Sequence, residues 1–166
     1  MTRAVSVLLC LCLLVRGALA SDPWVVRQDG VGPIKTGMSL AQLNSVLNEQ
    51  FSLPTNKEDQ GCFYVHPKQH PHVSLMIEKG RLVRIDVDSP GISTSEGIQV
   101  GDSEAHATKI YGARLKADAH QYTEGHYLTV QSTDGNSGLR FETDKGKITT
   151  FYAGSYAAIQ YVEGCS

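Results

Sequence analysis

Ile34-Lys35-Thr36-Gly37-Met38-Ser39 returns later in the chain as Ile98-Gln99-Val100-Gly101-Asp102-Ser103. Each copy opens a short helical pattern, and each is followed by strand-like runs carrying a glycine turn, Glu78-Lys79-Gly80-Arg81 in the first and Asp144-Lys145-Gly146-Lys147 in the second. The helix-opening glycine precedes the turn glycine by 43 positions in one half and 45 in the other. Matched spacing over that distance implies one supersecondary unit written twice.

Working outward, Ser39-Leu40-Ala41-Gln42 fits an S-x-x-Q capping box, and Leu40, Leu43, Val46 and Leu47 follow at helical spacing, so a helix with one apolar face is predicted from Ser39 to near Gln50. In the second copy Asp102 or Ser103 caps the helix. Ala107, Ile110 and Tyr111 take the offsets of Leu43, Val46 and Leu47, and Gly112 is the stop. Cys62–Val65, Val73–Ile77 and Leu82–Val87 read as strands in the first unit. His126–Gln131, Leu139–Glu142, Ile148–Ala153 and a last run from Ala157 to Val162 read as strands in the second. The expected fold is α+β: two tandem repeats, each a short helix followed by an antiparallel β-meander.

The flanks set the compartment. Met1-Thr2-Arg3, an apolar stretch from Ala4 to Val15, and Gly17-Ala18-Leu19-Ala20 describe a secretory signal cleaved after Ala20. Arg16 cuts the run short of the roughly 20 residues a membrane anchor needs. The expected divisions are therefore a signal peptide over 1–20 and repeats over 21–91 and 92–166. An aromatic-led arm, Ser21 to Gly32, opens the mature chain and lays Trp24 against the sheet. Losing Arg3 and Arg16 takes Lys+Arg from 15 to 13 against 17 acidic residues, a formal charge of −4. That balance does not supply the basic face a nucleic-acid binder uses. A periplasmic or secreted location also predicts that the two surviving cysteines, Cys62 and Cys165, form a disulfide.

This pattern, an I-x-x-G-[MD]-S start, a capped helix and a meander with a glycine turn, present twice in an exported chain, resembles the fold shared by the β-lactamase inhibitor proteins and the small outer-membrane assembly lipoprotein BamE. The resemblance covers about Ile34 to Tyr161. It implies a recognition module that binds another protein and catalyses nothing, and in the inhibitors two such units present a concave sheet surface to the target enzyme.

His66, His70 and His72 share one loop and have the chemistry of zinc or copper ligands, but Pro67 and Pro71 mark it as a series of exposed turns. Gly135-Asn136-Ser137-Gly138 reads as a turn and not as a serine nucleophile, with His106, His120 and His126 as solvated positions. No metal and no cofactor is assigned. If Val83, Ile85 and Val87 point inward, Arg84 and Asp86 point outward, and Tyr152, Tyr127, Thr129 and Arg140 share that exposed face. Tyrosine and arginine are what interfaces favour. These six are the predicted binding residues for a protein partner. The concrete forms are an inhibitor of, or an immunity protein against, a cell-envelope enzyme. An envelope assembly component and a small metal-binding hydrolase using the histidine loop are the alternatives.

Overall fold

A computed structural model describes residues 24–165; the predicted signal segment, 1–20, lies outside the described residues. The described residues open with three two-residue strands, β1 (Val26–Arg27), β2 (Gly30–Val31) and β3 (Ile34–Lys35), paired antiparallel in that order. The quoted Ile34-Lys35 is thus the last strand of the arm. Helix α1 (Leu40–Leu47) follows, then β4 (Cys62–Val65), β5 (Val73–Glu78) and β6 (Arg81–Val87). Helix α2 (Glu104–Tyr111) leads into β7 (Leu115–Ala119), β8 (His126–Gln131), β9 (Ser137–Asp144) and β10 (Lys147–Ser155). The seven long strands form one antiparallel sheet ordered β4-β5-β6-β10-β9-β8-β7. The protein is mixed helix and sheet, with two sheets and few helices.

Local chemistry accounts for both helices. Ser39 Oγ accepts the Gln42 N–H at 3.3 Å while Gln42 Oε1 accepts the Ser39 N–H at 2.9 Å, the reciprocal capping box. Ser103 Oγ accepts the His106 N–H at 3.1 Å in the same role. Helix α1 ends earlier than periodicity predicts, because Asn48 turns left-handed at φ 51°. Ahead of each helix a glycine at positive φ, Gly37 (+87°) or Gly101 (+93°), bends the chain onto a strand. Gly37 N–H reaches the Leu82 carbonyl (2.7 Å) and Leu82 N–H the Met38 carbonyl (2.8 Å). Gly101 N–H reaches Ile148 (2.8 Å), and Ile148 N–H reaches Asp102 (2.9 Å).

The core lies on one face of the seven-stranded sheet. Leu75, Ile77, Leu82, Ile85, Val87, Leu139, Phe141, Ile148 and Phe151 point into it, covered by Leu43 of α1, Ala107 and Tyr111 of α2, and Val26, Val31 and Ile34 of the arm. The predicted apolar helix faces are narrower than expected, since Val46 and Ile110, at matching offsets, are both exposed. Trp24 is half-buried at the core's edge and stacks on His70, ring centroids 3.5 Å apart.

Three strand expectations need correction. Val83 does not point inward: a bulge pairs Met76 with Arg84 and Ile77 with Leu82, so Leu82 takes the inward place and Val83 stays half-exposed. Strand β7 was missed, because it is an edge strand with Lys116 to Ala119 exposed and so lacks an apolar alternation. The predicted last strand, Ala157 to Val162, is a single 3₁₀ turn at Ala158–Gln160 followed by irregular chain. It crosses back over the sheet's other face and ends in a disulfide between Cys165 and Cys62, Cα atoms 5.3 Å apart, as expected. Closing 103 residues constrains the unfolded chain by about 4 kcal/mol in the chain-entropy model.

Strand β10 reaches β6 only because residue 154 is glycine. Its φ is +149°, and an added Cβ would overlap the Val83 carbonyl oxygen on the bulge. Gly154→Ala is expected to cost about 3 kcal/mol or more in a denaturant titration. Gly61→Ala, where nothing lies within 4 Å of the added carbon, should stay within about 0.5 kcal/mol.

Candidate functional site

Strand alternation sends a second set of side chains to the face opposite the core, and the register lines them up across the sheet. Asp86 on β6 pairs with Tyr152 on β10, Tyr152 with Arg140 on β9, and Arg140 with Thr129 on β8. Tyr127 pairs with Glu142, and Tyr64 on β4 with Met76, which in turn pairs with Arg84. All six predicted residues, Arg84, Asp86, Tyr127, Thr129, Arg140 and Tyr152, therefore occupy one face.

Their exposure is a correction. Arg84 is 3% exposed, and Tyr127, Thr129, Arg140 and Tyr152 are also buried, while Asp86 is mostly covered. For the two arginines the cover is the C-terminal tail, and for Tyr127 it is His120 and Arg140. Arg84 Nη1 donates to the carbonyls of Ala158 (3.3 Å) and Tyr161 (3.1 Å), and Arg140 Nη1 donates to Oε1 of Gln160. Ala158 and Ile159 of the tail's 3₁₀ turn are buried, and the disulfide holds the tail's far end against β4.

Under that cover is a continuous polar network. Arg84 forks onto Asp86, Nε to Oδ1 at 2.8 Å and Nη2 to Oδ2 at 2.9 Å, and Nη2 also reaches Tyr64 Oη at 2.8 Å. Tyr64 Oη donates to Asp86 Oδ2 at 3.0 Å. Arg84 lies over the Tyr152 ring, 4.2 Å from its centroid, and Arg140 over the Tyr127 ring at 4.0 Å. Tyr152 Oη donates to Glu142 Oε1 at 2.5 Å, and His120 Nε2 lies 3.4 Å from Glu142 Oε2 while its ring stacks on Tyr127. Burial lifts the Asp86 carboxyl above its ordinary value, and the Arg84 fork does not fully offset that. Burial, then the neighbouring Asp86 carboxylate, pushes the Tyr64 phenol up to about 12. Burial and the bond to Glu142 raise Tyr152 as well.

Tyr64, Glu142, His120 and Gln160 were missed as members of this face. Strand parity places Tyr64 and Glu142 there, given the pairing of β4 with β5 and of β8 with β9. His120, expected to be solvated, has a side chain only 6% exposed because Tyr127 stacks on it. His106 and His126 are partly exposed and sit beside Asp102 and Glu104.

The histidine loop does not converge. His66 Nδ1 meets Ser74 Oγ (3.2 Å), His70 stacks on Trp24, and His72 Nδ1 meets Ser89 Oγ (3.0 Å) and Asp88 (3.5 Å). Among the described residues no three His, Cys, Asp or Glu side chains group as metal ligands. Burial lowers the His70 pKa where it borders a groove of about 180 Å³ with Trp24, Val46, Leu47 and Pro67. Asp134 organises the 134–136 turn, accepting the Asn136 N–H at 3.1 Å. Comparison with family models, curated proteins and solved structures found no match for this chain.

The raised phenols make a pH prediction. A group whose folded pKa lies above its unfolded value contributes stability below the unfolded pKa and loses it as pH rises through the folded one. With Tyr64 moving from 10.0 to about 12, thermal stability should hold to about pH 10 and fall between pH 10 and 12, followed by phenolate absorbance. Tyr64→Phe should lessen that fall, leaving the part due to Tyr152 and Tyr111, and cost about 1–2 kcal/mol at neutral pH through the lost bonds to Arg84 and Asp86.

Proposed function

We propose that this chain is an exported, non-enzymatic recognition module that binds another protein over the polar face of its sheet, in the periplasm or outside the cell. The observation that carries the reading is the exposed tyrosine rim of that face, which borders a covered network of tyrosines, arginines and carboxylates. Exposed tyrosine offers area and a directed hydrogen bond at low entropic cost, which suits recognition. The rim remains open: Tyr122 (62% exposed) and Tyr161 (41%) stand at its edge, Tyr122 Oη reaching Glu163 at 2.8 Å.

The finer architecture belongs to the same proposal. A tandem repeat is supported by the paired strand contacts of Gly37 and Gly101, by equivalent caps at Ser39 and Ser103, and by matching Lys-Gly turns at positive φ, Lys79-Gly80 and Lys145-Gly146. The sheet order is also symmetric about the β6–β10 pair, with β7 as an addition to the second half. The likeness to β-lactamase inhibitor proteins and BamE rests on this pattern. The presence of two such units, as in the inhibitors, favours inhibition of, or immunity against, an envelope enzyme over an assembly role.

Capture from an envelope extract on immobilised protein tests the reading. One dominant soluble enzyme should be retained and its activity reduced by added protein. Replacing both rim residues, Tyr122→Ala with Tyr161→Ala, should weaken capture about tenfold or more while leaving the melting temperature nearly unchanged. Retention indifferent to that pair would remove the polar face from the binding site, and an absence of any specific retention would remove the function.

A further inference from the structure

Arg140 is 6% exposed, and among the described residues it has no ion pair. Its hydrogen bond is to a neutral amide, Oε1 of Gln160 on the C-terminal turn. Its Nε is buried without a partner. So are Tyr127 Oη beneath it, Thr129 Oγ1 beside it on β8, and Nε2 of the same Gln160. The unpartnered buried side-chain atoms found among the described residues thus gather around one guanidinium. A buried cation ordinarily has a counter-ion, and guanidinium favours a carboxylate held by two parallel bonds. Arg84, two strands away on the same face, has that arrangement with Asp86.

Resting on the recognition reading above, we infer that the face under the C-terminal turn is a site for an acidic peptide segment of the partner, one whose carboxylate meets Arg140 where Gln160 now lies. The tail is the occupant in cis. Its main-chain carbonyls at Ala158 and Tyr161 show what Arg84 accepts from a peptide, and Ala158 and Ile159 show that small and branched apolar side chains fit beside it. Gln160 is the neutral isostere of the side chain that would satisfy Arg140, so the tail matches the face in shape and falls short of it in charge. The Cys62–Cys165 bridge keeps this occupant in place.

Two measurements decide. The probe is a blocked synthetic peptide copying Ala158–Gly164, in the native form and carrying Gln160→Glu, titrated by calorimetry into the full chain with Cys62→Ser and Cys165→Ser. The acidic peptide should bind about tenfold or more tightly than the native one, and Arg140→Gln should erase the difference. Equal affinities, or no binding of either peptide to folded protein, overturn the inference. If the cysteine-free chain does not fold, the intact disulfide-bonded chain decides alone. Gln160→Glu should raise its melting temperature by about 4 °C or more, and an unchanged or lowered value overturns the inference. Because these readouts need no captured partner, peptide preference without envelope capture would sink the recognition reading and leave the acidic site standing.

Discussion

The pairing of β6 with β10 is the constraint on which the rest of the molecule depends. Val87, Asp86, Ile85 and Arg84 lie opposite Phe151, Tyr152, Ala153 and Gly154, and this register makes one sheet out of strands from both halves of the chain. On the core side it sets Ile85 and Val87 beside Phe151 and Ala153, so both helices cover a shared apolar surface. A unit of about 65 residues alone would bury a thin core. Gly154 is the point where the pairing is tightest, because the Val83 bulge brings a carbonyl against it.

The same register dictates the second face. Residues alternating with the core set include Arg84, Asp86, Arg140 and Glu142, and a sheet wet on that side would leave them to solvent. Instead the tail folds over them. Burying charges in this way costs several kcal/mol per ion unless each is paired and bonded. Arg84 meets that condition through Asp86, Tyr64 and two tail carbonyls, whereas Arg140 does not. The tail therefore rests on one well-matched and one poorly matched arginine, with apolar burial of Ile159 and the distant disulfide holding it down.

Much of this was legible beforehand where the signal is local. The capping box at Ser39 needs only four residues, and the two-residue Lys-Gly turns hold both the lysine and the glycine at positive φ, where glycine is at ease. The pairing of Cys62 with Cys165 followed from an expectation of export and from the cysteine count. Strand parity also placed all six candidate residues on one side, since alternation is a property of the strand itself. Legibility failed at Val83, where a bulge shifts the inward position to Leu82, and at β7, whose exposed edge carries no pattern to read. It failed again at Ala157 to Val162, an apolar run that buries Ala158 and Ile159 without forming a strand.

Which side chains share a face is written in the order of residues, because the period of a strand and the spacing of a capped helix are set by backbone geometry over a few bonds. Whether that face meets water is decided by chain that returns from far away. Arg84 meets Ala158 and Tyr161 across more than seventy residues, and no local propensity encodes that contact. Sequence determined the helices, the turns, the disulfide and the parity of the strands. Only the tertiary structure converted an expected open face into a covered one, by laying the last residues of the chain across it.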